Sequence, residues 1–276
     1  WEVIMEYYKI PAKLLGVNAK IPIVKMKSSD EVFYELASQM LNEIKRKNEI
    51  GESTVFICPV GPVGHYPIFV DLVNKEKVSL KNVWFFNMDE YLDENKEWIS
   101  ENDKLSFRGF MNREVYSKID ESLIMPKEQR VFPDPKNVDK IDKLISSLGG
   151  VDLCIGGIGI NGHIAFNEPN SNLSVSQFAE LGTRVLKISE ETLVTNAIGD
   201  LGGAIEIMPR YCITIGMKQI FGAKKIILAV FRDWHRAVCR RAVYGEVSSA
   251  FPVSILQNHE NTKILVNDIA SNVAIM

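Results

Sequence analysis

The chain has 276 residues, of which 46% are hydrophobic and 24% are charged, which is enough for a sizeable buried core. This composition excludes a disordered, collagen-like or coiled-coil protein. With 32 basic and 35 acidic residues the net charge is -3, so the overall charge offers no attraction for nucleic acid or an anionic membrane. The longest apolar runs fall far short of the roughly 18 to 20 residues that cross a bilayer. We therefore expect a soluble protein that binds a small molecule, with no nucleic-acid or membrane partner.

Short β-branched and aromatic runs alternate with helical patterns along the chain. They predict strands at residues 21–24, 54–58, 82–88, 151–155, 184–188, 211–215, 225–230 and 262–266. They predict helices at residues 29–47, 66–74, 106–116, 138–148 and 234–243. This alternation predicts an α/β fold, with a mostly parallel sheet and helices on both faces. No repeat or linker divides the chain, so we expect a single domain over residues 1–276.

Cysteine usage and the start of the chain bear on the cellular compartment. The four cysteines are widely spaced, without the pairing typical of a metal site, and three of them lie in apolar, strand-like runs. Residues 1–6 have neither the basic nor the apolar region of a secretion signal. These features predict reduced thiols, no metal site and a cytoplasmic location. The charged stretch 93–104 is predicted to be a surface loop or lid.

Ligands of open α/β sheets bind beyond the carboxyl ends of the strands, so the residues that follow each strand are candidate site residues. The loop after residues 54–58 reads Cys-Pro-Val-Gly-Pro-Val-Gly-His. Glycine lets backbone amides approach an anion at a helix N-terminus, which makes Gly61, Val63 and Gly64 candidate substrate ligands. The alternative is a plain tight turn, because the loop has no Ser, Thr or Lys to hold a phosphate.

Two carboxylates, Asp89 and Glu90, follow the predicted strand at 82–88. A carboxylate at the mouth of an apolar sheet is a candidate proton acceptor, because partial desolvation raises its pKa toward the working range. A helix cap or a surface pair is the alternative interpretation of the same residues.

The third candidate loop, at residues 156–169, surrounds one histidine with four glycines. His163 would stand at the sheet edge, where Glu168 could fix its tautomer, as the third member of a catalytic triad does. A structural histidine is the alternative. The remaining candidates in this loop are Gly157, Gly159, Asn161 and Gly162.

Two of these segments resemble a known family. Residues 156–169, Gly-Gly-Ile-Gly-Ile-Asn-Gly-His-Ile-Ala-Phe-Asn-Glu-Pro, resemble a signature of the glucosamine-6-phosphate deaminase (isomerase) family, and residues 86–91, Phe-Asn-Met-Asp-Glu-Tyr, resemble its second signature. Matches at 106–111, 209–216 and 252–259 keep the same order. The related 6-phosphogluconolactonases lack the Phe-Asn-Glu-Pro end, so the deaminase branch is nearer.

The resemblance implies a Rossmann-like fold and an enzyme that opens the ring of an amino sugar phosphate, isomerises aldose to ketose and releases ammonia, without a cofactor. It implies that Asp89 moves the C2 proton to C1 and that His163 handles the ring-oxygen and O1 protons, with Glu168 orienting His163. Asn161 stands where the family has Asp or Asn, and an amide keeps a hydrogen bond but removes a charge. The implied partner is a small sugar or sugar phosphate.

The family grips the substrate phosphate with a Gly-Gly-Ser/Thr-Pro-type loop, an Arg and a Lys, and this chain departs at each position. We align Val63 with the loop hydroxyl, Leu193 with the Arg and His235 with the Lys. A dianion would lose most of its charge-assisted hydrogen bonds by these replacements.

Arginines spaced four apart follow the strand at 225–230 and offer one replacement. If Arg232 or Arg236 reaches the site, it restores an anion contact, and if neither does, a neutral sugar should compete with the phosphorylated one. Together with Arg240 they could equally form a solvated helical face. The sequence also leaves open a catalytically idle sugar-binding homologue, a lactone hydrolase and a homo-oligomer.

Overall fold

A computed structural model of the protein describes residues 6–275. Residues 1–5, on which the prediction about a secretion signal depends, lie outside the described range. Within that range, no helix is long and apolar enough to cross a membrane.

Ten strands within residues 6–275 form two sheets. They are β1 (Ile23–Lys25), β2 (Thr54–Cys58), β3 (Val83–Asn87), β4 (Asp89–Leu92), β5 (Arg130–Val131), β6 (Leu153–Gly156), β7 (Arg184–Lys187), β8 (Tyr211–Thr214), β9 (Ile226–Val230) and β10 (Thr262–Val266). The larger sheet has seven strands in the order β1-β10-β9-β6-β2-β3-β5, and every pairing in it is parallel. The mostly parallel sheet predicted from the sequence is confirmed.

Nine α-helices connect and cover the strands. They are α1 (Ser29–Glu49), α2 (His65–Glu76), α3 (Phe107–Glu114), α4 (Asp139–Ser147), α5 (Val175–Ala179), α6 (Glu190–Leu201), α7 (Met217–Phe221), α8 (His235–Tyr244) and α9 (Asp268–Ser271), all within residues 6–275. Alternate side chains of β2 enter different cores: Ile57 packs with residues of α4 and α8, whereas Phe56 packs with residues of α1 and α2. The helices therefore cover both faces of the sheet, as the sequence predicts.

The second sheet is the main departure from the predicted topology. Strands β7 and β8, which the alternation assigned to the parallel sheet, instead pair antiparallel with each other, and β8 pairs antiparallel with β4. Strand β4 was not predicted, because Asp89 and Glu90 carry the polar character of a loop. A small separate core, which includes Tyr91, Leu193 and Cys212, supports this sheet.

Candidate active site

A cavity of about 680 Å³ opens at the carboxyl ends of the parallel strands. The loops that follow β2, β3, β6 and β9 contribute to its wall, and α6 closes another side. This is the position at which open α/β sheets bind their ligands. Asp89 and His163, predicted from separate motifs, both line this cavity.

The carboxylate of Asp89 is buried but has no hydrogen-bond donor among residues 6–275. The residue is the first of β4 and only 7% exposed. Burial raises the pKa of Asp89 well above its ordinary value, and repulsion from the neighbouring Glu90 carboxylate raises it further. An unpartnered carboxylate in an apolar wall with a raised pKa is suited to accept a proton from carbon.

Glu90, one residue further along β4, does not line the cavity. It is fully buried, and its carboxylate accepts hydrogen bonds from the backbone N–H groups of Phe107 and Arg108, at 2.9 and 2.8 Å, and from the Ser106 hydroxyl at 3.0 Å. Adjacent strand residues point to opposite sides, so Asp89 enters the cavity and Glu90 turns to the start of α3. The prediction of Glu90 as a substrate ligand is corrected: the residue holds the N-terminus of α3, which is the helix-cap alternative.

The imidazole of His163 is held through its Nδ1 atom. The Asn161 side-chain oxygen lies 2.8 Å from Nδ1, and the Thr192 hydroxyl lies 3.2 Å from it. Asn161 cannot be turned around, because its amide nitrogen donates to the Glu168 carboxylate at 2.8 Å and to the Ser189 hydroxyl at 3.1 Å. The amide oxygen therefore accepts from Nδ1–H, which leaves Nε2 as the basic nitrogen of neutral His163.

Glu168 acts on His163 mainly through Asn161. Its carboxylate lies 3.6 Å from Nδ1, which is too long for a hydrogen bond but close enough to attract the ring when it carries a proton. Burial by itself would raise the pKa of Glu168, but the attraction of His163 and the hydrogen bond from Asn161 outweigh it and hold this pKa at about 2. The direct orienting contact expected from the sequence is replaced by a three-residue chain.

Two of the predicted glycines shape the loop rather than the ligand site. A side chain at Gly159 would place Cβ 2.0 Å from the His163 ring, so only glycine leaves room for this imidazole. Gly162 has a φ of +83°, and the Phe251 ring occupies the place where its Cβ would be. Gly159 lines the cavity but Gly162 does not, so Gly162 is corrected from a substrate ligand to a turn residue.

Sequence reasoning missed helix α6 and hence one wall of the cavity. The residues of α6 that line the cavity share one face at helical spacing and are Thr192, Thr195, Asn196, Gly199 and Asp200. The available signal was Ser189, which caps the helix by accepting from the N–H of Thr192. The β-branched residues and the internal glycine weakened the helical pattern.

No family model matches the chain. A glucosamine-6-phosphate deaminase of Bacteroides fragilis is 32% identical over 237 residues, covering 83% of this chain and 82% of that protein. One from Clostridium perfringens is 29% identical, covering 90% of this chain and 98% of that protein. The chain belongs to the glucosamine-6-phosphate deaminase family.

Solved structures agree with this membership. A monomeric glucosamine-6-phosphate deaminase, described as a missing link of the NagB superfamily, superposes with a TM-score of 0.78 at 26% identity and covers 90% of this chain. A 6-phosphogluconolactonase from Trypanosoma cruzi has a TM-score of 0.65 at 15% identity, which is a likeness of fold alone. The family resemblance found in the sequence and the Rossmann-like fold are both confirmed.

The loop after β2 forms part of the cavity wall. Gly61, Val63 and Gly64, which the sequence predicts as substrate ligands, line the cavity, and Gly157 from the neighbouring loop lies against the Gly61 carbonyl. Gly64 packs on the Phe33 ring, which leaves no space for a side chain there. The loop contributes glycine, proline and valine to an apolar end of the cavity, and no side chain that could bind a phosphate.

His235, aligned with the family's lysine, cannot act as a cation. Its Nδ1 accepts from the N–H groups of Phe231 and Arg232, and its Nε2 lies 3.1 Å from the Ile158 carbonyl. Burial lowers the pKa of His235 to about 3, so the ring is neutral. Although it borders the cavity, His235 is corrected from a substrate ligand to a residue that fixes the loop after β9.

Leu193, which we aligned with the family's arginine, does not face the cavity. It is fully buried in the core of the small sheet. Of the three arginines after β9, Arg232 lines the cavity, whereas Arg236 donates to the Ile269 carbonyl and pairs with Asp233 outside it. The prediction of Arg236 as a substrate ligand is therefore corrected.

The third of these arginines, Arg240, is fully buried rather than solvated. It donates to the backbone carbonyls of Ile10, Arg236 and Ser271, and so joins both ends of the described chain to α8. The three arginines thus have three separate roles, and the solvated-face alternative does not apply to Arg240.

Proposed function

We propose that the protein converts an amino sugar phosphate, glucosamine 6-phosphate or a close analogue, into the ketose phosphate with release of ammonia. The observation that carries this proposal is the presence of two complementary groups in one cavity. Asp89 offers an unpartnered carboxylate with a raised pKa, and His163 offers an imidazole whose Nδ1 is held by Asn161 and whose Nε2 has no hydrogen-bond partner among residues 6–275.

These two groups account for the successive proton transfers. His163 takes the O1 proton and returns it to the ring oxygen, which opens the pyranose. Asp89 takes the C2 proton while the substrate ammonium gives up one proton that reaches O1, which forms a neutral enolamine. Asp89 then returns its proton to C1, which leaves an iminium at C2. Water then adds to C2 and ammonia leaves, so the net reaction consumes one water molecule.

The raised pKa of Asp89 favours a deaminase over a lactone hydrolase. Hydrolysis of a lactone needs no base for a carbon-bound proton, whereas abstraction of the C2 proton needs a carboxylate that is more basic than one in water.

The four free cysteines are buried, and this supports a cytoplasmic location as part of the proposal.

The test is a coupled ammonia-release assay over amino sugars with and without a 6-phosphate. Asp89→Asn should abolish turnover and leave ligand affinity within a few-fold, because the amide fills the same space but cannot accept the proton. Exchange of the C2 proton with solvent reports this step directly, and wild-type exchange by the variant would remove Asp89 as the base. Absence of ammonia from every sugar would favour the idle sugar-binding homologue.

A further inference from the structure

The cations of the cavity lie at one place, the C-terminal end of α6. The cavity-lining residues with charged side chains are Asp89, Lys104, Asp200 and Arg232. Within residues 6–275, Lys104 and Arg232 are therefore the only Lys or Arg side chains in this wall. Phe33, Val60 and Val63 contribute an apolar part of the same wall.

Lys104 and Arg232 approach neighbouring residues of the same helix from different segments. The Lys104 ammonium donates to the Asp200 carbonyl at 3.3 Å. The Arg232 guanidinium lies 3.1 Å from where a Cβ would be at Gly199. Lys104 ends the charged stretch predicted as a lid, and Arg232 follows β9.

Gly199 makes this approach possible. Glycine within a helix costs about 1 kcal/mol relative to alanine. Here the missing side chain opens the space in which the guanidinium lies.

Arg232 is free to bind a ligand. Within the described range, its side chain has no hydrogen-bond acceptor and no carboxylate within 4.0 Å, in contrast to Arg236 and Arg240 on the same segment. The nearest acidic group in the wall is Asp200, which forms no ion pair within that distance. Burial raises the pKa of Asp200, and the charges of Arg232 and Lys104 oppose this rise. Both cations therefore interact electrostatically with the Asp200 carboxylate.

We propose that Arg232 and Lys104 form an anion subsite that binds the phosphate of the sugar substrate, in place of the side chains lost from the loop after β2. This inference rests on the proposed function and names the group that would recognise the substrate's charged end. Two cations of different geometry suit a dianion, since Arg offers paired donors and Lys a compact charge. The carboxylate of Asp200, in the same wall, would repel the anion.

The test measures binding by isothermal titration in an Asp89→Asn background, so that no ligand turns over. Glucosamine 6-phosphate and glucosamine are the paired probes. Arg232→Ala should weaken binding of the phosphorylated sugar by about 10 to 100 fold, and Lys104→Ala by a smaller factor, since each removes a charged hydrogen bond. Binding of glucosamine should change by about twofold or less, and added salt should weaken only the phosphorylated ligand.

The matched controls are Arg236→Gln and Lys218→Ala, which remove cations outside the cavity and should leave both affinities unchanged. Asp200→Asn gives the sharper test, because its expected effect on affinity is opposite to that of Arg232→Ala. It should tighten binding of glucosamine 6-phosphate, since a repelling charge is removed. Weaker binding of that ligand by Asp200→Asn would overturn the anion subsite.

Equal losses for both sugars in Arg232→Ala and Lys104→Ala would also overturn it. These outcomes are separate from failure of the proposed function, because binding needs no turnover. If the protein binds glucosamine 6-phosphate through Arg232 but releases no ammonia, the anion subsite is supported and the proposed deaminase function is wrong.

Discussion

The side-chain oxygen of Asn161 lies 2.8 Å from Nδ1 of His163. This contact sets the tautomer of the imidazole with a neutral partner, since the amide nitrogen is committed to Glu168 and Ser189. A carboxylate at position 161 could not donate to Glu168 and would repel it.

Asn161→Asp should therefore lower kcat, because a carboxylate cannot donate the two hydrogen bonds that Asn161 gives to Glu168 and Ser189. The His163 ring would lose the fixed partner of its Nδ1 atom. Rates of ammonia release by the variant and the wild type check this expectation. A variant as active as the wild type would mean that Asn161 does not position His163.

Glu168→Gln should lower activity by about 10 to 1,000 fold and change the pH profile of activity rather than only raise KM.

The same variant should change the pH dependence of stability. The pKa of Glu168 is held at about 2, below its ordinary 4.5. Its ionised form therefore stabilises the fold above pH 4.5, and this contribution is lost as the pH falls toward 2. The variant should show a smaller loss of stability over that range. If activity and profile match the wild type in both Glu168→Gln and His163→Asn, neither residue takes part in the mechanism.

Asp89→Asn should make the protein more stable at neutral pH while it removes activity. The raised pKa of Asp89 means that the fold favours the protonated acid. Its ionisation therefore costs stability progressively as the pH rises above the ordinary value of 3.8. Thermal unfolding of both proteins at acidic and neutral pH gives the test. The gain in Tm should be present at pH 7 and absent near pH 3, and an equal gain at both would contradict the assignment.

Gly159→Ala should displace the His163 ring and leave the rest of the fold intact. The new Cβ would lie 2.0 Å from the ring, and a shift of about 1 Å in a reacting group can cost about 100-fold in rate. We expect kcat to fall by this order, with little change in the circular dichroism spectrum. A kcat within a few-fold of the wild type would show that the ring position is not critical.

His235→Ala should destabilise the protein by at least about 2 kcal/mol, because the amides of Phe231 and Arg232 lose their buried acceptor. Because burial lowers the pKa of His235 to about 3, the neutral ring stabilises the fold above pH 6.5, and this contribution is lost as the pH falls toward 3. Denaturant unfolding of both proteins at several pH values should show a smaller pH dependence in the variant. A variant as stable as the wild type would restore His235 as a candidate ligand.

The sequence by itself determined the parallel sheet, because buried parallel strands are apolar along their whole length, as in residues 54–58 and 226–230. It also located Asp89 and His163, since both belong to long motifs that follow strands. Local pattern could not reveal that β7 and β8 leave the main sheet, because strands of four residues are too short to show whether their apolar residues alternate.

Only the tertiary structure decided the roles of the polar residues around the cavity. Asp89 and Glu90 are adjacent in sequence, yet the alternation of a strand places one in the cavity and the other at the start of α3. His235 and Arg232 are three residues apart. His235 accepts hydrogen bonds from backbone N–H groups, whereas the Arg232 side chain has no hydrogen-bond partner among residues 6–275. The chemistry available to such a side chain depends on its burial and its partners, and these come from segments distant in sequence.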